Sequence, residues 1–229
     1  MIREDTFVKR IIFPLSVLLV ILLLLSGCTD KRQETCIQRA NEYLEFLEGE
    51  AEGDTLTLLA EIWKRTDGYY TFRAHSEAFG GDFQIRVAPD NTVTDDYYTL
   101  AVLSEAETVY GPAVPSALPG RDLPCTVGIK SILTPALSGR AGASLITVQN
   151  AAGGQPIVYL DISVPDGETI TEKEIGTVLY TLYASACPCE VYFSDDPRAF
   201  VVDGDGVYYL TADADNGSYI KRHEYVFEN

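Results

Sequence analysis

The chain has 229 residues, of which 34 are acidic and 17 basic, so its formal net charge is −17, and 46% of its residues are hydrophobic. This composition is typical of a chain with a packed core and excludes disorder as its default state. The charge excludes nucleic acid as an expected partner, because proteins bind that polyanion through basic clusters. Solubility is the simplest explanation of the acidity, and an acidic binding face is the alternative.

The N-terminal segment has the residue order of a secretory signal. Arg3, Lys9 and Arg10 precede an apolar run at residues 11–25, and small residues and a cysteine follow it. A helix that spans a membrane needs about 20 apolar residues, so this run is short for a span. The order of charged, apolar and small residues instead predicts a signal peptide.

The end of this segment, Leu25-Ser26-Gly27-Cys28, resembles the lipobox of bacterial lipoproteins, in which an aliphatic and two small residues precede an invariant cysteine. The resemblance covers the first 28 residues only. It implies a signal peptide at residues 1–27, a diacylglyceryl group on the sulfur of Cys28 and, in many members, an acyl group on its amine. More than one acyl chain is what stable anchoring requires. The alternative is an ordinary signal peptide or an uncleaved anchor.

This resemblance predicts a lipid-anchored protein that faces outward from a cell membrane. In a cell with two membranes, Thr29 after Cys28 would permit transport to the outer membrane. Cleavage would remove three basic and two acidic residues and leave a mature charge of −18. Anionic headgroups would repel such a domain, so we expect residues 28–34 to act as a tether that holds it away from the surface.

The N-terminal half, residues 35–110, has the pattern of one helix followed by an antiparallel meander. At residues 35–48, apolar residues recur at three- and four-residue spacing, which predicts an amphipathic helix. A β-prone stretch at 55–64, the turn pair Asp67-Gly68 and two alternating runs predict the strands. The alternating apolar residues are Tyr70, Phe72, Ala74, Phe83, Ile85 and Val87. Residues 95–110 suit a helix or a strand equally.

Residues 111–128 hold four prolines and three glycines, a density that disfavours helix and strand, and we predict that they link the two halves. In the C-terminal half, residues 129–229, Thr171 and Glu174 form a capping-box pattern before an apolar stripe, which predicts a helix that Pro188 ends. Strands are predicted at 144–148, 157–164, 190–193, 207–211 and 219–227. The predicted fold class is α+β, with two amphipathic helices packed on mainly antiparallel sheets, in two halves of similar content.

Four cysteines besides Cys28 remain, namely Cys36, Cys125, Cys187 and Cys189. An even number in an extracytoplasmic chain allows up to two disulfides, and the sequence does not select a pairing. Ordinary buried thiols are the alternative. Cys187 and Cys189 lack the spacing of a Cys-x-x-Cys oxidoreductase, and a bridge between them would be strained. The usual second cysteine pair and nearby histidines of a zinc site are missing.

Two acidic turns near the C-terminus resemble fragments of calcium-binding loops, where oxygen ligands alternate along a turn. Asp203 and Asp205 belong to the first turn, and Asp213 and Asp215 to the second. The final glutamate and the flanking helices of the full motif are missing. Turns between strands are commonly rich in Asp, Asn and Gly, so a structural turn is favoured and calcium is the alternative. We predict no other cofactor beyond the lipid on Cys28.

Few residues point to catalysis. His75 and His223 fall in predicted strands among polar residues, where we expect them to be exposed. Neither the Gly-x-Ser-x-Gly elbow of a hydrolase nor the His-Glu-x-x-His helix of a metalloprotease occurs in the chain. We therefore favour a noncatalytic protein. A secreted hydrolase that uses paired carboxylates is the alternative, because the chain has many acids.

Three tyrosine pairs, Tyr69-Tyr70, Tyr97-Tyr98 and Tyr208-Tyr209, are predicted to place one ring on each face of a strand. The inward rings suit a core, and the outward rings can bind carbohydrate or peptide or protect the strand. We therefore expect a binding or envelope-accessory module whose partner is a protein or a small surface ligand. A binding module predicts an aromatic-lined groove, a hydrolase predicts converging titratable groups, and an accessory protein predicts a flat apolar patch.

Overall fold

The computed structural model describes residues 31–59, 68–153, 155–212 and 219–227. Cys28, the signal peptide and the predicted lipid lie outside these residues, as do Asp213 and Asp215 of the second acidic turn. Within the described ranges, no helix is both long and apolar enough to cross a bilayer.

The N-terminal unit is one helix and a four-stranded antiparallel meander in the order β1-β2-β3-β4. Its elements are α1 (Lys31–Glu50), β1 (Leu56–Leu58), β2 (Tyr70–Ser76), β3 (Gly81–Val87) and β4 (Val93–Asp95). The predicted helix and meander are confirmed for the described residues, whereas residues 60–64 of the predicted β-prone stretch and Asp67 of the turn pair lie outside them. Helix α1 begins four residues before the predicted start at Thr35 and continues through Gly49.

Alternating burial explains why this meander packs on α1. The residues of β2 and β3 that were predicted to face inward are buried, whereas Thr71, Arg73 and Gln84 between them are not. Helix α1 presents buried side chains at three- and four-residue spacing. The joint core contains Cys36, Ala40, Leu44, Leu47, Phe72, Ala74, Phe83, Ile85, Val87 and Tyr97, among others.

The segment between the two units is helical at residues 98–110, where the sequence suited a helix or a strand equally. Residues 95–110 form α2 (Tyr98–Ala101) and α3 (Leu103–Tyr110), in which Val102, Ala106 and Tyr110 are buried at four-residue spacing. The predicted linker is more regular than its prolines suggested. It contains α4 (Ala113–Ala117) and the first residues of β5 (Cys125–Ile129), and Pro115 is tolerated because a five-residue helix has few internal hydrogen bonds to lose.

The C-terminal unit is a six-stranded sheet in the order β10-β9-β8-β7-β6-β5. Its further elements are α5 (Leu145–Ala151), β6 (Val158–Ile162), α6 (Glu172–Ala184), β7 (Cys189–Phe193), β8 (Ala199–Val202), β9 (Val207–Ala212) and β10 (Tyr219–Glu224). Only β6 and β7 pair in parallel, and α6 makes the crossover between them. The α+β class with mainly antiparallel sheets is confirmed, but a pure meander and a mixed sheet are not two similar halves.

Two local predictions in this unit are wrong. The predicted strand at 144–148 is instead the start of helix α5, with Ser144 at its N-cap, and Leu145 and Val148 are buried at helical spacing while Ile146 is exposed. Strand β8 was not predicted. Its four residues are all buried in the middle of the sheet, so they lack the alternation that marks a half-exposed strand.

Helix α6 begins as its capping box predicts. The amide of Glu174 donates to the hydroxyl of Thr171 at 3.3 Å, and the amide of Thr171 donates to the carboxylate of Glu174 at 2.9 Å. The inner side of α6 buries Ile175, Val178 and Leu179 against the sheet. The outer side of this helix carries part of the candidate site.

Candidate functional site

An open groove of about 600 Å³ lies where the outer side of α6 meets strands β9 and β10. Aromatic and charged side chains line it together, including Tyr183, Asp205, Tyr208, Arg222, Glu224, Tyr225 and Phe227. A second recess of about 370 Å³ lies beside it and contains Tyr180, and Tyr225 and Phe227 line both. The two recesses therefore form one strip, which we call the aromatic groove.

The chain segment after β10 forms the wall between the two recesses. The hydroxyl of Tyr225 donates to the carbonyl of Glu172 at 3.3 Å and so fixes this segment to the start of α6. A Cβ at Gly176 would lie only 3.0 Å from that hydroxyl, so a glycine is what permits this close approach. Phe227 then lies between the rings of Tyr180 and Tyr183.

The exposed rings pack against one another. The ring centroids of Tyr180 and Phe227 lie 5.5 Å apart with nearly perpendicular planes, and those of Tyr183 and Phe227 lie 6.4 Å apart. Tyr180 is 59% exposed and Tyr183 is 39% exposed. Because the rings support one another, they are held in place before any ligand binds.

Charged groups complete the groove. The guanidinium of Arg222 lies 3.6 Å from the ring centroid of Tyr208 and 4.0 Å from the carboxylate of Asp203, which restricts its orientation. Asp205 and Glu224 add two carboxylates. The described residues that line the groove include no serine, cysteine or histidine. Their one lysine is Lys173, which lines the smaller recess.

The first acidic turn has the geometry of a structural turn. The carboxylate of Asp203 accepts hydrogen bonds from the amides of Asp205 and Gly206, at 2.8 and 3.0 Å. This local pattern is the ordinary way in which an aspartate closes a turn. Throughout the part of the chain that the structure describes, no three acidic, cysteine or histidine side chains converge as metal ligands.

None of the four described cysteines is in a disulfide. Cys36 lies in the N-terminal core, and the other three lie in or beside the C-terminal core. Burial raises the pKa of Cys187 and of Cys189, and burial with the nearby Asp161 raises the pKa of Cys125 to about 11. Thiols that stay protonated react slowly, so these positions have the character of buried structural cysteines.

The two histidines lie in different surroundings. Nδ1 of His75 is 2.7 Å from the carboxylate of Asp82 on the half-exposed face of the N-terminal sheet. The ring of His223 stacks on Tyr209 with a centroid distance of 4.9 Å. Neither histidine lines the aromatic groove, so the structure does not bring them together with its acids.

The sequence did not single out a cluster of buried acids at the end of β4. The carboxylate of Asp95 accepts hydrogen bonds from the hydroxyl of Tyr43 at 2.6 Å and from the amides of Tyr97 and Gly139 at 2.8 and 2.7 Å. Burial raises the pKa of Asp95, and these hydrogen bonds oppose the rise without cancelling it. A signal was present in the sequence, because the adjacent acids Asp95 and Asp96 stand directly before the aromatic pair Tyr97-Tyr98.

Two further acids near Asp95, namely Asp96 and Asp54, also accept hydrogen bonds from the protein. Asp96 accepts hydrogen bonds from the amide of Gln84 and the hydroxyl of Ser131. Asp54 accepts them from the hydroxyls of Ser76 and Tyr97, at 2.5 and 2.6 Å. Burial alone would raise the pKa of Asp54, but these hydrogen bonds lower it overall. The acids join loops from both units, and every carboxylate is used by the fold.

The tyrosine pairs separate only in part as predicted. Tyr69 is 37% exposed and Tyr70 is buried. Tyr97 and Tyr98 are both buried, because they lie at the start of a helix and not in a strand. The rings that are most exposed in the groove, Tyr180 and Tyr183, belong to none of the pairs.

No protein-family model matches the chain, and no curated protein or solved structure shows significant similarity to it.

Proposed function

We propose that this protein is an extracytoplasmic lipoprotein that displays a noncatalytic binding module on the outer side of a membrane. The observation that carries the binding role is the aromatic groove. The location rests on Leu25-Ser26-Gly27-Cys28 and the apolar run before it. The lipid on Cys28 holds the module at the surface, and the groove binds a partner there.

Binding without catalysis fits the composition of the groove. A nucleophilic serine or cysteine next to a base would indicate acyl transfer, and the described lining contains no such pair. The buried acids Asp95 and Asp96 and the half-buried Asp54 are occupied by hydrogen bonds from the protein itself. Rings that are partly exposed and fixed by their neighbours are instead what a preorganised binding surface requires.

Metabolic labelling tests the anchor. The full chain, produced in a bacterium fed with an alkyne-labelled fatty acid, should become labelled, and the variant Cys28→Ser should not. Protease added to intact cells, or to cells with a permeabilised outer membrane, should degrade the module. An unlabelled wild-type protein would contradict the proposed anchor.

Asp205 and Glu224 provide the test of the alternative, a carboxylate-based hydrolase. A noncatalytic module should bind a surface polymer and release no fragments from it. Release of new ends that disappears in the Asp205→Asn, Glu224→Gln double variant would contradict the proposal and support the hydrolase.

A further inference from the structure

We propose that the aromatic groove binds a neutral polysaccharide chain. This inference rests on the proposed function, because it names the partner of the same site. Four properties of the groove support it: rings open to solvent, planar polar groups beside them, an acidic surface around them, and an elongated shape.

The rings provide the apolar part of the site. Tyr180 is 59% exposed and Val226 is 77% exposed, with the partly buried ring of Phe227 next to both. Exposed apolar surface of this kind is stabilised when a ligand covers it. A sugar ring has one face of C–H groups that packs on an aromatic ring, while its hydroxyls remain at the edge. Tyrosine suits this contact because its hydroxyl can stay hydrated.

The polar groups beside the rings match the edges of sugars. Arg222 presents several N–H donors in one plane, and Glu224 and Asp205 present paired oxygen acceptors. Neighbouring hydroxyls of a sugar can donate to a carboxylate and accept from a guanidinium at the same time. Because Arg222 is already held over the ring of Tyr208, it loses little freedom when it binds.

The charge of the chain selects against polyanions. With a formal net charge of −17 and two acids in the groove itself, the surface repels phosphorylated, sulfated and uronate polymers. A neutral glycan carries no such penalty.

The shape of the groove favours a chain over a compact ligand. The two recesses, of about 600 and 370 Å³, lie on either side of Tyr225 and Phe227 and are both open to solvent, so together they form an elongated site. Aromatic-lined grooves also bind proline-rich peptides, whose prolines have no backbone N–H to donate to a carboxylate. Here the polar lining consists mainly of side-chain carboxylates and a guanidinium, which favours hydroxyl groups as partners.

Affinity electrophoresis and a glycan array test the proposal with the full-length protein purified in detergent. The probes are amylose, cello- and chito-oligosaccharides and mannan, with heparin, hyaluronan and a proline-rich peptide library as competing classes. We expect binding to at least one neutral glycan class and to neither acidic polymer. Tyr180→Ala and Tyr183→Ala should each weaken it by about tenfold, because each removes an aromatic ring that would cover the ligand.

Tyr69→Ala is the matched control, because Tyr69 is 37% exposed but lies in the N-terminal unit, outside the groove. Binding that is lost equally in this variant, binding to the acidic polymers, or no binding to any neutral glycan would overturn the inference. Binding of peptides alone, weakened by Tyr180→Ala, would overturn the glycan but leave the proposed function intact. Loss of Cys28 labelling, or no dependence of any binding on Tyr180, would instead count against the proposed function.

Discussion

The two units of this protein use tyrosine and aspartate in opposite ways. In the N-terminal unit, Tyr97 is buried and its hydroxyl donates to Asp54. In the C-terminal unit, Tyr180 and Tyr183 are exposed, and among the described residues their hydroxyls have no hydrogen-bond partner. A polar group whose bonds are all made inside the protein stabilises the fold, whereas a fixed ring with an unused surface can bind a ligand.

The acids of the two units differ in the same way, because some accept hydrogen bonds inside the protein and others lie at the surface. The carboxylate of Asp95 is surrounded by three donors at the junction of the units. Asp205 and Glu224 lie at the surface of the groove. The raised pKa of Asp95 comes with three hydrogen bonds from within the protein, so a raised pKa must be interpreted together with the hydrogen bonds of the group.

The largest effect should come from the core below the groove. Phe200 is fully buried and contacts the rings of Phe193 and Tyr225, each at a centroid distance of 5.8 Å. Phe200→Ala should lower the free energy of unfolding by about 3–5 kcal/mol, because it leaves a cavity under the rings. Urea denaturation followed by circular dichroism measures this, and Phe200→Leu should lose clearly less. A loss below about 1 kcal/mol would mean that the groove does not rest on this core.

The next effect tests whether Asp95 is structural. Asp95→Asn should lower the free energy of unfolding by about 1–3 kcal/mol, because an amide cannot accept all the hydrogen bonds that the carboxylate accepts. Asp166→Asn is the control, since Asp166 is exposed in a loop. Equal stability of the two variants in urea would remove the distinction between buried and surface acids.

The pH dependence of the free energy of unfolding is a second test of the role of Asp95. We expect pH to change only part of the stability that Asp95→Asn loses. Burial raises the folded-state pKa of Asp95, so its contribution to stability is full below the unfolded pKa, about 3.9, and is lost as pH rises through the folded value. Asp54 has a lowered pKa, so its contribution is present above the unfolded pKa and is lost as pH falls through the folded value.

Urea titrations at pH values from 3 to 7 measure both contributions. The stability advantage of the wild type over Asp95→Asn should therefore shrink as pH rises. Its advantage over Asp54→Asn should shrink as pH falls. Advantages that change in the same direction would show that the two acids do not differ in this way.

The smallest effect compares two hydroxyls. Tyr97→Phe should cost about 1 kcal/mol, since it removes the hydrogen bond to Asp54. Tyr183→Phe should change stability by less than about 0.5 kcal/mol, because its hydroxyl is at the surface. Differential scanning calorimetry resolves the difference, and equal costs would contradict the contrast between buried and exposed tyrosines.

Much of the local structure follows from short-range patterns. The alternation at Phe72 and Ile85 predicted strands, and Thr171 with Glu174 predicted the start of α6, since both signals depend on neighbours within four residues. Strand β8 has no such signal because it is buried on both faces. Residues 145–148 were predicted as part of a strand but belong to helix α5, because Leu145 and Val148 are buried on one side of that helix.

The candidate site was less predictable. Asp205 was singled out as a calcium ligand, while Tyr180, Arg222 and Phe227 were not singled out at all. Tyr180 and Phe227 are 47 positions apart in the sequence, and only the close approach of the last segment to Gly176 brings their rings to 5.5 Å. Contacts at such separation depend on the sheet order, which residue patterns do not encode.

By itself, the sequence determined the α+β class, the acidic surface, the capped helix α6 and the lipobox resemblance that predicts an anchor at Cys28. These features depend on composition or on residues close together in the chain. Tertiary structure alone decided that Asp95 lies inside a junction and that Tyr180 and Tyr183 face a groove. The physical reason is that burial and the partner of a polar group are set by distant segments, and those two properties separate a structural side chain from one that can bind.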